Sequence, residues 1–141
     1  VLEFIRATGD DREYLFRLRK NTMTEHLEKS GQYLTEEEHW RRLNEDYHYS
    51  HLIILNARKV GTLKFQVTPD FIDVMQLQIE PKRQGQGIGS RVIEQVLNHA
   101  GSRPVKLTVL KDNPALKLYK KYGFKVIGED DYEYFMQVDQ Y

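Results

Sequence analysis

The chain has 141 residues, 40% hydrophobic and 30% charged, which suits one domain with a packed core and excludes a disordered chain. Lys plus Arg and Asp plus Glu both number 21, so the formal net charge is zero and nothing in bulk attracts nucleic acid or an anionic membrane. The absence of cysteine excludes disulfides, thiolate metal ligands and a cysteine nucleophile, and no apolar run is long enough to span a bilayer.

Residues 2–7 alternate apolar with polar and predict a strand, not the basic-then-apolar block of a signal peptide, so a cytoplasmic protein is expected. Gly9, Asp10 and Asp11 break the pattern. Asp10 is placed to cap a helix over residues 12–28, with Tyr14, Leu15, Leu18 and Met23 along its stripe. Ser30 and Gly31 interrupt it. Thr35 with Glu38 has the form of a capping box and opens a second helix to about Tyr47, with Trp40, Leu43 and Tyr47 on one face. Residues 51–56 and 60–67 are apolar runs joined by a short polar turn, a hairpin. After a turn at Pro69 and Asp70, residues 71–80 predict a long strand. Met75, Leu77 and Ile79 fall on one of its faces, and Val74, Gln76 and Gln78 on the other. A glycine-rich stretch over 84–89 leads into a helix with Ile88, Val92, Ile93, Val96, Leu97 and Ala100 on its stripe. Residues 105–110 are β-branched and apolar, hence strand. Asn113 and Pro114 start a further helix, with Pro at the first helical position and Gly123 as a left-handed stop. Residues 124–127 and 132–138 close the chain as two strands. The order β-α-α-β-β-β-α-β-α-β-β describes a single α/β domain over 1–141 with a central meander and no repeat or linker.

The run Ile79-Glu80-Pro81-Lys82-Arg83-Gln84-Gly85-Gln86-Gly87-Ile88-Gly89-Ser90 puts three glycines between a strand and a helix. Glycine permits backbone angles and close ligand approach that a Cβ forbids. The first N–H groups of a helix have no internal acceptor and sit at its positive end, so they suit an anion. Each such term is about 0.3–1 kcal/mol when exposed, so a pyrophosphate needs several converging N–H groups. Read alone, the glycine pattern fits a plain connector equally well. No Gly-Lys-Ser/Thr follows, which excludes a P-loop. The turn follows the fourth strand, without the acidic residue that closes a dinucleotide-binding βαβ unit, which argues against a Rossmann site.

At these residues the sequence resembles the GNAT superfamily of acyl-CoA N-acyltransferases. That family carries Gln/Arg-x-x-Gly-x-Gly/Ala between a long strand and a helix, here Gln84-Gly85-Gln86-Gly87-Ile88-Gly89. One strand later it carries Asn, a helix with Tyr, then Gly-Phe, here Asn113 to Tyr119 and Gly123-Phe124. The motif-bearing resemblance covers residues 71–127. It implies a mixed, mostly antiparallel twisted sheet of six to seven strands with about four helices on both faces. It also implies acetyl transfer from acetyl-CoA to a primary amine by direct attack in a ternary complex, without a metal.

The resemblance further implies that the backbone of Gln84, Gly85, Gln86, Gly87, Ile88, Gly89 and Ser90 grips the CoA pyrophosphate. The edge of Leu77, Gln78 and Ile79 pairs with the pantetheine arm as a pseudo-strand, Asn113 contacts that arm, and Tyr119 sits near the sulfur as general acid. Spacing alone also fits Tyr119 as a packing residue with Ala115, Leu118 and Tyr122, and Asn113 as a plain cap. Lys82 and Arg83 are candidates for the CoA phosphates or a solvated turn. Many relatives place a Glu base eight residues before the Gln/Arg. That position is Gln76, which cannot take a proton, so no base is assigned. Glu80 reads as a solvated strand end. Glu25 and His26 lie near the end of the first helix, where relatives often shape the acceptor site, and otherwise read as surface residues. Tyr33, Trp40, Tyr132 and Tyr134 are candidates for the acceptor side or the core, and Glu129, Asp130 and Asp131 for an amine-attracting cluster or an acidic loop. Three functions stay open: a small-molecule amine acetyltransferase, a protein or peptide N-acetyltransferase, and a non-catalytic CoA-binding sensor. The resemblance also allows a homodimer.

Overall fold

The computed structural model describes residues 2–140. Its elements follow the expected order: β1 (Leu2–Arg6), α1 (Arg12–Lys29), α2 (Glu36–Asn44), β2 (Ser50–Leu55), β3 (Arg58–Val67), β4 (Ile72–Ile79), α3 (Ile88–Ala100), β5 (Val105–Leu110), α4 (Leu116–Lys121), β6 (Lys125–Glu129) and β7 (Glu133–Val138). The strands form one seven-stranded sheet, β1-β2-β3-β4-β5-β7-β6, in which only β4 and β5 run parallel. No described helix is long and apolar enough to cross a membrane.

Alternation along β2 shows why helices lie on both faces. Leu52 and Ile54 pack with Leu15, Phe16, Leu18 and Leu43 of α1 and α2. Ile53 and Leu55 point the other way, into the larger cluster with Val92, Ile93 and Val96 of α3 and Tyr119 of α4. The β2–β3 hairpin turns on Asn56 and Ala57, both left-handed at φ 51° and 65°, the geometry a two-residue turn between twisted strands requires.

Local chemistry moves three boundaries from their expected places. Asp10 does not cap α1. A short 3-10 turn over Gly9–Asp11 precedes it, and the Asp11 carboxylate accepts from the Thr8 N–H at 2.8 Å, tying off the helix entry. The Thr35–Glu38 capping box forms as expected, with the Glu38 N–H donating to Thr35 Oγ1 at 3.1 Å. The second helix, however, stops at Asn44. Glu45 is extended and Asp46 left-handed at φ 54°, so Tyr47 begins a separate turn. Tyr47 still joins Leu43 in the core, its hydroxyl donating to the Thr8 carbonyl at 2.6 Å. The last helix begins at Leu116, so Pro114 lies before it. Asn113 Oδ1 accepts from the Ala115 N–H at 2.9 Å and closes a tight turn first. At the far end Gly123 (φ 90°) stops the helix as expected. Its N–H donates to Lys120 and that of Phe124 to Tyr119, the paired bonds of a Schellman stop.

A fourth difference shapes the site. In the β3–β4 register Lys64 faces Gln76 and Phe65 faces Val74, so Met75 is an extra residue, a β-bulge. The bulge resets the alternation. Val74 packs into the α3-side core with Leu77 and Ile79, rather than sharing a face with Gln76 and Gln78. Gln78 points to the opposite face, where its side-chain amide reaches the Met23 sulfur of α1 at 2.8 Å.

Candidate active site

Bulges bend the strand that carries them, and β4 leaves its neighbour at this one. It pairs with β5 only at Ile72, Asp73 and Val74; beyond Val74 the two strands are unpaired. The gap is the middle of a cleft of about 910 Å³. One end is formed by the glycine-rich turn and the start of α3, the walls by β4, β5 and α4, and the other end by α1 and α2.

At the first end the backbone of Gly85 and Gly87 is left-handed, φ 79° and 78°, and a Cβ on either would meet nothing within 4 Å. The conformation demands glycine while the space in front of it is open. Among the described residues, no acceptor takes the main-chain N–H groups of residues 85–90; the first bond of α3 is from Arg91 to Gly87. The Gln84 side chain turns back to donate to the Ile79 carbonyl at 3.1 Å, which pins the turn to the end of β4. Gly89 serves packing: a Cβ there would lie 3.3 Å from Leu118 Cδ2, so its absence lets α4 lie against α3.

Of the residues the sequence pointed to, Leu77, Gln78, Ile79, Gln84, Gly85, Gly87, Ile88, Gly89, Ser90, Asn113 and Tyr119 all border this cleft. Gln86 does not; its side chain folds back toward the Lys82 carbonyl at 3.4 Å. Arg83 borders the cleft and Lys82 is exposed outside it. Tyr119 is 5% exposed, edge-on to Phe124 at 5.9 Å, and its hydroxyl has no hydrogen-bond partner among the described residues. Burial pushes its phenol up to about 12, so it stays protonated across the neutral range.

The sequence's acceptor-side candidates separate. Tyr132 borders the cleft. Trp40 stacks on Phe16 at 4.1 Å and belongs to the core, Tyr134 packs against the main core, and Tyr33 is 73% exposed outside the cleft. The acidic run 129–131 is hairpin chemistry. Asp130 accepts from the Tyr132 and Glu133 N–H groups, which hold its carboxyl below the usual range, and Glu129 pairs with Lys111. Glu80 accepts from the Tyr14 hydroxyl at 2.7 Å and lies outside the cleft. Glu25 pairs with Lys29 on the surface.

Sequence reasoning missed several charged residues at the second end: Arg19, Arg42, Glu45, Asp46, Lys64 and Glu133. His26 was read as surface, yet it borders the cleft with its Nδ1 buried and unpartnered among the described residues. Glu133 is half-buried, and burial first, then Asp130, raises its carboxyl pKa. Arg19 left one signal. It sits four residues after Leu15, where the stripe of a buried helix face calls for an apolar residue. No group of described residues has the makings of a metal site.

Comparison with known proteins adds the family. The acetyltransferase (GNAT) domain family matches residues 19–136. The N-alpha-acetyltransferase RimI of Mycobacterium tuberculosis is 36% identical over 83 residues, 52% of this chain and 52% of that protein. An uncharacterised protein of Mycobacterium leprae is 36% identical over 70 residues, 48% of this chain and 20% of that one. The chain thus spans about half, or less, of these relatives. Among solved structures, the fold is similar to an acetyltransferase from Thermus thermophilus (TM-score 0.77, 21% identity, 99% of this chain and 97% of that one). It is also similar to the PaiA N-acetyltransferase of Thermoplasma acidophilum in complex with coenzyme A (TM-score 0.74, 17% identity, 99% of each chain). With the family match over most of its length and this sheet, the chain belongs to the GNAT acetyltransferase family.

Proposed function

We propose that residues 1–141, of which 1 and 141 lie outside the described residues, act as one N-acetyltransferase domain. It transfers acetyl from acetyl-CoA to a primary amine of a small molecule by direct attack. The observation that carries this reading is a single cleft joining main-chain N–H groups at 85–90 without acceptors among the described residues, the unpaired edge of β4 and the hydroxyl of the largely buried Tyr119. In it the CoA pyrophosphate lies on the glycine turn, the pantetheine amides lie along Leu77–Ile79, and the thioester reaches Tyr119. The amine nitrogen attacks the thioester carbon, the C–N bond forms and the C–S bond breaks. The amine's proton leaves to water or to a cleft base, and Tyr119 donates to the departing sulfur. Gln76 borders the cleft but has no basic site. His26 and Glu133 are the titratable groups at the acceptor end suited to take the proton.

A second reading, acetylation of a protein N-terminal amine, is favoured by the similarity to RimI. A peptide panel beside a small-amine panel separates the two.

Calorimetry with acetyl-CoA tests the proposal. The wild type binds, and Gly87→Trp, which fills the cradle and strains a left-handed position, loses binding while keeping its circular dichroism. Thiol release then identifies the amine. A wild type that fails to bind acetyl-CoA ends the acyltransferase reading.

A further inference from the structure

Arg19 heads the fully buried side chains by volume, at 1% exposed, and it borders the cleft from α1. Its Nε–H donates to His39 Nδ1 at 3.1 Å, and one Nη–H reaches the Met23 sulfur at 3.6 Å. Both acceptors are uncharged: His39 is 3% exposed, and burial, then Arg19 itself, lowers its pKa and keeps the imidazole neutral. Among the described residues, no carboxylate oxygen lies within 4.0 Å of the guanidinium. The charge that acts on it is of its own sign. Burial and then Arg42 pull Arg19 down to about 10, which still leaves it charged at neutral pH. Lys64, 7% exposed, borders the same end and donates to the main-chain carbonyl of Glu45. Glu45 and Asp46 stand exposed at the rim, and Glu133 lies close enough to Arg42 to be stabilised by it.

A cation buried without a counter-ion is among the costliest arrangements in a protein. This one presents a planar fork of donors, only part of it used, toward a cavity. We infer that the acceptor carries a carboxylate near its amine and that Arg19, assisted by Arg42, binds it at the α1 end of the cleft. Calling this molecule the acceptor rests on the acyltransferase reading; the anion site stands on the geometry alone. The carboxylate has two sources: the α-carboxylate of a free amino acid, or an acidic side chain beside the N-terminal amine of a peptide.

Product mimics give a readout free of catalysis. N-acetylglycine, and N-acetyl-alanyl-aspartic acid amide, are each titrated against their carboxamide counterparts by calorimetry, with and without CoA. At least one carboxylate is expected to bind about tenfold or more tightly than its carboxamide, as a charge-assisted bidentate contact requires. Whichever probe binds names the source. Arg19→Met, which keeps length and loses charge, is expected to erase the preference with CoA binding intact. Should that variant fail to fold, the more exposed Arg42→Gln is expected to weaken it. Equal binding of carboxylate and carboxamide, no binding of either carboxylate, or a preference that survives the substitution in folded protein overturns the inference. Carboxylate-selective binding without thiol release from acetyl-CoA would end the acyltransferase reading and leave the anion site standing. Acetyl transfer indifferent to the carboxylate would do the reverse.

Discussion

Tyr119 is fixed by its surroundings before any substrate arrives. The Schellman bonds anchor its carbonyl, Phe124 meets its ring edge, and the core takes the rest of the side chain. A phenol at about 12 holds its proton more tightly than an ordinary thiol at about 8.5. A hydrogen bond donated to the leaving sulfur therefore comes before full transfer. Tyr119→Phe removes only the hydroxyl and is expected to lower kcat about 10²-fold or more, with acetyl-CoA affinity nearly unchanged. An unaltered single-turnover rate would remove Tyr119 from the chemistry. Glu133 carries a different expectation. As a base it must be ionised, and its raised pKa moves the acidic limb of the rate profile to higher pH. Glu133→Gln is expected to lower kcat and flatten that limb; a limb that stays as it was rules Glu133 out. Tyr119 and the glycines were legible in the sequence because each lies in a short local motif. Arg19 and Glu133 were not, because their meaning comes from facing one cavity from elements far apart in the chain.

At the scale of elements, β4 decides the site. The Met75 bulge ends its pairing with β5 and turns Gln76 and Gln78 to the α1 face. On its other edge β3 comes unusually close at Gly61, where a Cβ would stand 2.1 Å from the Gln78 carbonyl oxygen and 3.1 Å from Ile79 Cα. Both obstacles are backbone, so no rotamer change relieves them. Gly61→Ala is expected to destabilise the fold by at least about 2 kcal/mol, the range of forced overpacking. It should also weaken acetyl-CoA binding, because β4 is the cleft wall. Gly9→Ala, where a Cβ meets nothing within 4 Å, is the matched control and should change little. Urea unfolding of the two variants measures the difference, and equal midpoints would show that β3 and β4 separate freely. The hydrophobic alternation of β4 was readable in part only: period two holds on each side of a bulge and says nothing of where the bulge falls.

For the molecule as a whole, buried histidines set a direction for stability against pH. Burial first of all lowers the pKa of His39 and of His51 from 6.5. Below 6.5 the unfolded chain therefore binds protons that the folded chain resists. Stability supplied by their neutral forms is present above 6.5 and lost as pH falls through the folded values. Asp73 and Glu133, whose pKa values burial raises from 3.8 and 4.5, act in the opposite sense over the range upward from those values. The expected result is a urea midpoint that declines as pH drops below about 6.5, and a smaller decline in His39→Gln, which keeps an acceptor for Arg19. A midpoint independent of pH from 7.5 to 5.5 would contradict it. By itself the sequence determined the order and type of the helices and strands, the glycine-rich turn before α3 and the helix that carries Tyr119. These depend on capping, on glycine and on periodicity, all of which act over a few neighbouring residues. Only the tertiary structure decided where β4 parts from β5, which aromatics are core, and that a buried Arg19, without a carboxylate partner among the described residues, lines the α1 end of the cleft. Those properties belong to surfaces brought together from α1, α2, β3, β4 and β7, and no local stretch of chain contains them.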